Sequence, residues 1–286
     1  MEVQKLIIIG APRSGTNMLR DVLTSFDGVE TWPCDEINYI WRYGNARYPS
    51  DEIPVSAVRP RVKTYIRQQF DKLAEKTSAQ IIVEKTCANS LRVPFVDEIM
   101  ENAKYIFIVR DGMDSVGSAK LRWTANLDLS YVLQKARFIP ILDIPYYALK
   151  YARNRVFRMA SKSKRLAMWG PQLSDMDILL QKYSLTEVCA LQWQRCVELA
   201  HNALDMLPED RVLKLNYEKF VTEPVVHLSR IIQFMNRTDI NQESIEAAVA
   251  NVSSRSLGKG RKLLGPNEVE QLEFLIGGTL RKMGYG

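Results

Sequence analysis

The chain has 286 residues, of which 46% are hydrophobic and 25% charged. These values are typical of globular proteins and exclude a chain that is disordered throughout. A chain of this length can bury a large core, and we expect one domain over residues 1–286. The formal net charge of +6 favours an anionic partner: nucleotide, acidic glycan, membrane surface or nucleic acid.

The four cysteines do not show the spacing of a zinc site, so we expect thiols packed in the core and no metal. The first apolar run is too short for a signal peptide and leads into a glycine-rich turn. No stretch approaches the roughly 20 apolar residues that a membrane span requires. The expected location is therefore cytoplasmic, with peripheral membrane contact left open.

Four short apolar runs predict buried strands, and a helical pattern follows each of them. The strands are expected at Lys5–Ile9, Gln80–Val83, Tyr105–Val109 and Arg211–Leu215. Helices are expected at Met18–Phe26, Asp114–Trp123 and Thr186–Leu207, and from Pro224 and Pro266 onward. Continuous apolar strands alternating with helices indicate an α/β fold with a doubly wound parallel sheet flanked by helices.

One segment departs from this alternation, and we interpret residues 129–185 as a helical insertion on the substrate side. Its part from 144 to 174 has no Asp or Glu but many aromatic residues. Its cations are Lys150, Arg153, Arg155, Arg158, Lys162, Lys164 and Arg165. A solvated surface and a face for an acidic acceptor or a membrane both fit this pattern, whereas nucleic acid is not the expected partner.

The first strand is followed by a glycine-rich turn that resembles a phosphate-binding loop. Gly10 and Gly15 have the spacing of the Walker pattern, but Thr16 stands at its lysine position and Asn17 at its Mg²⁺-ligating position. The cation lies inside the loop instead, at Arg13. Backbone amides at the start of the following helix would bind phosphate. The loop therefore predicts a phosphate site without the usual metal ligand.

A second phosphate site is indicated after the third strand. Arg110 ends the strand, and Ser118 follows eight residues later on the next helix. A guanidinium fork and a hydroxyl can converge there on one phosphate. The alternative is that Arg110 pairs with Asp111 or Asp114 and that Ser118 has only a structural role.

Several motifs in order resemble the sulfotransferases that use 3′-phosphoadenosine 5′-phosphosulfate. They are GAPRSGT, VEKTCANSLRVPF, VRDGMDSVGS, WGP, RVLKLNYEKFVTEPVVHLSRIIQFM and GKGRKLLGPNEVEQL. The chain is most similar to the carbohydrate and tyrosylprotein branches of that family. The resemblance runs from about Lys5 to Tyr285 and implies a P-loop-like fold and sulfuryl transfer to an acceptor hydroxyl without a metal.

The resemblance also implies roles for particular residues. The 5′-phosphosulfate would be held by Arg13, Ser14, Gly15, Thr16 and Asn17. The 3′-phosphate would be held by Arg110 and Ser118, and Lys259 and Arg261 would close over the nucleotide. Lys85 would act near the transferring group together with Arg13, unless it only pairs with Glu84.

Removal of the acceptor proton requires a base. The two histidines, His201 and His227, lie in apolar helices away from the predicted strand ends and are expected to be structural. The resemblance implies an acid shortly after the first helix, which here is Glu36, with Asp35 as the alternative. Alternatively, Asp35 and Glu36 have only a structural role, as an acid pair that stabilises the start of the following helix.

The acceptor is expected to be a glycan or glycolipid hydroxyl. Aromatic residues after the acid suit sugar stacking or core packing equally, namely Trp32, Tyr39, Trp41 and Tyr43. Two other functions remain open. A nucleotide or small-molecule kinase would require Mg²⁺ and a Walker lysine, and a non-enzymatic protein would bind anionic surfaces through its basic insertion.

Overall fold

The computed structural model describes residues 3–124, 136–160 and 168–285, and within them a five-stranded sheet in which every pairing is parallel. The strand order is β2-β3-β1-β4-β5. The strands are β1 (Gln4–Ile9), β2 (Val29–Glu30), β3 (Ile81–Lys85), β4 (Lys104–Val109) and β5 (Val212–Asn216). This arrangement confirms the predicted α/β class and its parallel sheet.

The sheet separates two apolar cores, which explains why the central strands β1 and β4 are hydrophobic over most of their length. Leu6 and Ile8 of β1 pack into one core, whereas Ile7 and Ile9 pack into the other. All four side chains are fully buried. A strand that is buried on both faces cannot alternate between apolar and polar residues.

Helices cover both faces of the sheet. They are α1 (Thr16–Leu23), α2 (Asn38–Trp41), α3 (Pro60–Thr77), α4 (Val93–Ile99), α5 (Gly112–Thr124), α6 (Ile144–Ala160), α7 (Met176–Lys182), α8 (Leu185–Leu204), α9 (Tyr217–Thr222), α10 (Pro224–Phe234), α11 (Gln242–Val249) and α12 (Pro266–Lys282). Proline occupies the first turn of α10 and α12, as predicted. Helix α8 begins at Leu185 because Ser184 caps it in a capping box with Glu187.

The carboxyl ends of the central strands lie side by side. In the register of the sheet, Ile8 of β1 is opposite Lys85 of β3, and Ile9 is opposite Phe107 of β4. The glycine loop, Lys85 and Arg110 therefore emerge at the same edge, where parallel sheets bind their ligands.

Helix α6 lies within the segment that we predict to be a helical insertion. Lys162, Lys164 and Arg165 lie outside the described residues, as does much of the predicted boundary region after residue 129. Arg153 is exposed. In the described ranges no helix has both the length and the apolar composition needed to cross a membrane. The cellular location and the insertion boundaries stay predictions.

The four cysteines are free thiols. Cys87, Cys189 and Cys196 are buried, as predicted, whereas Cys34 is half-buried. Burial raises the pKa of the Cys87 and Cys189 thiols to about 12, so they stay neutral. They pack as small apolar groups.

Candidate active site

The glycine loop turns sharply between β1 and α1. Arg13 and Gly15 both have left-handed backbone angles, with φ of 71° and 84°. A Cβ at Gly15 would lie 2.4 Å from ring carbons of Tyr217, so the loop requires glycine there. No side chain caps the start of α1, where Thr16 and Asn17 form the first turn. This turn presents backbone amides and a positive helix end to a ligand.

Inside the loop, the Arg13 side chain reaches across to helix α5. Its Nε donates to Ser118 Oγ at 2.9 Å, so the structure brings together residues from the two predicted phosphate sites. Burial lowers the pKa of Arg13, and the charges of Arg122 and Arg110 lower it further. Ser14 Oγ is fully buried and has no hydrogen-bond partner among the described residues. The loop thus has an excess of positive charge and an unused buried hydroxyl.

Arg110 follows the end of β4 and connects three segments. Its Nη1 donates to the Arg13 carbonyl at 3.0 Å, and its Nη2 donates to Asp114 Oδ2 at 2.7 Å and to the Ser256 carbonyl at 2.9 Å. The guanidinium lies over the Tyr217 ring, 4.6 Å from its centroid. Its Nε is buried without a partner. The ion pair with Asp114 therefore exists and still leaves one donor of Arg110 unused.

Asp114 also anchors the loop that carries Lys259 and Arg261. Its carboxylate accepts the backbone amides of Gly258 at 2.9 Å and Arg261 at 3.0 Å. A Cβ at Gly260 would lie 1.8 Å from the Asp114 carbonyl oxygen, so this loop packs directly on α5. The Lys259 side chain is exposed.

The Arg261 side chain points to a different partner. Its Nη2 lies 3.7 Å from Glu273 Oε1 in a half-exposed ion pair. The structure therefore places its backbone, rather than its guanidinium, against the Arg110 site.

The two acids after the first helix face different partners. Glu36 Oε1 accepts from Lys85 Nζ at 3.2 Å and from the Cys87 amide at 3.2 Å. Asp35 lies 3.4 Å from Arg20 Nη1. Burial acts to lower the pKa of Lys85, but the charges of Glu36, Cys87 and Asp35 and the hydrogen bond to Glu36 together outweigh it, so the net pKa is raised. Lys85 is thus a buried cation beside Glu36, not beside the neighbouring Glu84.

Glu84 helps to hold the backbone next to Glu36 in place. Its carboxyl oxygens accept from Thr86 Oγ1 at 2.5 Å and Asn89 Nδ2 at 3.0 Å. Thr86 Oγ1 in turn accepts the backbone amide of Ile37, the residue after Glu36, at 3.2 Å. Burial raises the pKa of Glu84 to about 7.

A cavity of about 260 Å³ opens beside Glu36. Its lining consists of Glu36, Asn38, Tyr39, Arg42, Asp51, Tyr147, Lys150, Tyr151, Gly170 and Gln172. Tyr39 packs edge-on against Tyr147, with ring centroids 4.6 Å apart. Trp32 and Trp41 are buried in the core, and Tyr43 stacks on Tyr65. Of the four aromatic residues proposed for sugar stacking, only Tyr39 lines the cavity.

Neither histidine lines this cavity. His201 lies 3.4 Å from Asp205 at the end of α8, and His227 is buried in α10. Within the described part of the chain, no three His, Cys, Asp or Glu side chains are grouped to hold a metal ion. Metal-independent transfer stays a prediction.

Comparison with known proteins identifies the family. A profile described as "Sulfotransferase family" matches residues 5–168, more than half of the chain. The chain belongs to the sulfotransferase family. No curated protein sequence matches it significantly.

Solved sulfotransferase structures share the fold of this sulfotransferase. One from Mycobacterium avium has a TM-score of 0.56 at 12% identity, covering 99% of this chain and 77% of that one. A sulfotransferase domain from the curacin biosynthetic pathway has a TM-score of 0.54 at 14% identity, covering 96% of this chain and 98% of that one. A mouse sulfotransferase complexed with PAP has a TM-score of 0.51 at 13% identity, covering 98% of this chain and 86% of that one. These structures show the shared fold, and the family match shows that the protein is an enzyme of sulfuryl transfer; its branch within the family stays a prediction.

Two residues of the site were missed by the sequence reasoning. Asp114 was considered only as an ion partner of Arg110, and Tyr217 was not singled out. An acid four residues after Arg110 on a helix was a signal for the pair. Nothing in the sequence pattern joins Tyr217 to Gly15, because their contact depends on the packing of α9 beneath the loop.

Proposed function

We propose that this sulfotransferase transfers the sulfuryl group of 3′-phosphoadenosine 5′-phosphosulfate to a hydroxyl of a glycan or glycolipid, with Glu36 as the base. The position of Glu36 carries this proposal. Its carboxylate lies between the buried ammonium of Lys85 and a cavity large enough for part of an acceptor. A base must reach the acceptor proton while the donor lies on the other side of the reacting oxygen.

The nucleotide would bind along the edge of the sheet. The loop Arg13–Asn17 would hold the 5′-phosphosulfate, and Arg110 with Ser118 would hold the 3′-phosphate. The unpartnered Ser14 Oγ and Arg110 Nε are buried donors that fit phosphate oxygens. Lys259 would close over the nucleotide from the loop that Asp114 anchors, and Arg261 would fix that loop through its backbone amide.

The reaction is an in-line displacement at sulfur. The acceptor oxygen bonds to sulfur as the bond from sulfur to the bridging oxygen breaks, and the electron pair leaves with the 5′-phosphate. Glu36 takes the hydroxyl proton. Arg13 and Lys85 neutralise the charge that develops on the leaving oxygen, which fixed cations can do without reorganisation.

We also propose that α6 contacts a membrane when the acceptor is lipid-linked. Four large apolar side chains are strongly exposed in this region. Two lie in the turn before α6, Ile141 (83%) and Leu142 (90%), and two lie in α6 itself, Leu149 (72%) and Val156 (65%). The exposed cation Arg153 lies on the same helix. Exposed apolar side chains next to cations are typical of helices that lie on anionic membranes.

Thermal denaturation tests the proposed donor. Adenosine 3′,5′-bisphosphate (PAP) in the presence of a chelator should raise the melting temperature, because a ligand that binds only the folded state stabilises it. ATP with Mg²⁺ should raise it much less. Stabilisation by ATP–Mg²⁺ and none by PAP would refute the proposal and favour the kinase alternative.

A further inference from the structure

The cavity beside Glu36 has a group of donors on one wall, and some of their polar atoms lack an acceptor among the described residues. This group consists of Arg42, Tyr147, Lys150 and Tyr151, and all four line the cavity. Among the described residues, the hydroxyls of Tyr147 and Tyr151 and the Nε of Arg42 are buried without a well-formed hydrogen bond, although Tyr147 interacts with the Arg42 guanidinium. Tyr147 is only 8% exposed. Three buried polar atoms without well-formed hydrogen bonds on one wall require an explanation.

Lys150 adds a charge to this wall that pairs directly with no carboxylate of the described residues. Its Nζ donates at 3.2 Å to Gln172 Oε1, which is a neutral partner. Burial lowers the pKa of Lys150, and the charges of Arg42 and Arg153 lower it further, against the opposing effect of Asp51. A half-buried ammonium with a neutral partner gains from an anion placed beside it.

Asp51 does not fill this role, because both of its oxygens are already used. Its Oδ1 accepts from Arg42 at 2.7 Å, from Asn38 at 3.2 Å and from Arg92 at 3.4 Å, and its Oδ2 accepts the Gln172 amide at 2.8 Å. Two buried arginines thus share one carboxylate. Lys150 lies near the same carboxylate, so three cations share it, and two of them, Arg42 and Lys150, line the cavity.

We infer that this wall binds an anionic group of the acceptor, a carboxylate, phosphate or sulfate, while the hydroxyl to be sulfated lies at Glu36. Only the placement of the hydroxyl at Glu36 rests on the proposed function. An anion oxygen accepts several hydrogen bonds and donates none, which matches a wall with unused donors. The cavity of about 260 Å³ has room for little more than one sugar-sized unit, so the anion and the hydroxyl belong to the same unit or to adjacent ones.

The first test uses inorganic phosphate as the probe, on protein saturated with PAP so that the nucleotide sites are filled. Phosphate should raise the melting temperature of the wild type further. Lys150→Met should weaken phosphate binding at least tenfold, and Lys150→Arg should keep most of it. Lys76→Met, which removes an exposed cation on α3 away from the cavity, is the matched control and should resemble the wild type.

The second test uses a pair of acceptors that differ in one group, 4-nitrophenyl glucoside and 4-nitrophenyl glucuronide. The wild type should bind the glucuronide at least tenfold more tightly, and Lys150→Met should abolish that preference. Equal binding of both glycosides by the wild type, or phosphate binding that is the same in Lys150→Met and Lys76→Met, would overturn the inference. Stabilisation by PAP alone is measured in the same samples, so failure of the proposed donor is seen separately.

Discussion

Asp114 offers the sharpest test of how the site is held together, because one carboxylate joins Arg110 to the loop of Gly258 and Arg261. Replacement by Asn keeps the shape but leaves one carbonyl oxygen where two charged oxygens accepted three hydrogen bonds. The NH2 group of the Asn side chain would then face one of these three hydrogen-bond donors. Hydrogen bonds to charged groups contribute about 1.5–3 kcal/mol each, and Arg110 would lose its buried partner. We expect Asp114→Asn to lower the free energy of unfolding by about 3 kcal/mol.

Chemical denaturation and hydrogen exchange measure this effect. The Gly258 and Arg261 amides should exchange faster in Asp114→Asn, because the carboxylate is their recorded acceptor. Asp71→Asn, an exposed acid on α3, is the control. Unchanged stability and unchanged exchange relative to Asp71→Asn would refute the reasoning.

Acidification gives a second measure of the same contact. Burial acts to raise the pKa of Asp114, but the Arg261 amide and the Arg110 side chain outweigh it, so the net pKa is lowered below 3.8. The stability contributed by a carboxylate with a lowered pKa is present above its unfolded pKa and is lost as the pH falls through the folded value. The difference in stability between wild type and Asp114→Asn should therefore shrink below about pH 4.

Three further predictions concern catalysis, stability and membrane contact. Glu36→Gln should leave PAP affinity unchanged and lower turnover by about two to four orders of magnitude, whereas Asp35→Asn should have little effect; the reverse result in turnover assays would identify Asp35 as the base. Burial raises the pKa of Glu84 from 4.5 to about 7, so the wild type should lose up to about 3 kcal/mol of stability as the pH rises through this window. Glu84→Gln should remove that slope in denaturation curves, and an unchanged slope would show that Glu84 titrates normally. The double variant Leu149→Ser with Arg153→Gln should weaken binding to anionic lipid vesicles and leave PAP binding intact; equal sedimentation of wild type and variant with vesicles would exclude α6 as the contact.

The sequence predicts the central sheet well because its chemistry is local. The run Leu6–Ile9 is continuously apolar, and β4 shows the same pattern; the observed strand bounds lie within one residue of those expected, except that β3 runs two residues further, to Lys85. Strand β2 was missed because it has two residues, too few for any periodicity. Turn and cap signals also act locally, which is why Pro224 and Pro266 begin helices as expected.

The site could be predicted only in part, since its geometry depends on contacts between distant segments. The contact of Glu36 with Lys85 spans 49 positions, and that of Asp114 with Gly258 spans 144. Family resemblance suggested Glu36 and Lys85 as neighbours of the transferring group, but no pattern in the chain indicated that Asp114 contacts the Gly258 amide. The cavity wall is a similar case, because Lys150 lies in α6 and Arg42 follows α2, and these two segments meet only in the folded chain.

Calorimetric titration in the presence of a chelator tests the central claim most directly, namely that this edge of the sheet binds a nucleotide through two separate phosphates. PAP should bind to the wild type at least about tenfold more tightly than adenosine 5′-phosphate, which lacks the 3′ group. Arg110→Ala should weaken PAP by about 2–4 kcal/mol and remove most of that preference, because a charged contact to the 3′-phosphate is lost. Equal affinity of the wild type for the two nucleotides would contradict the account.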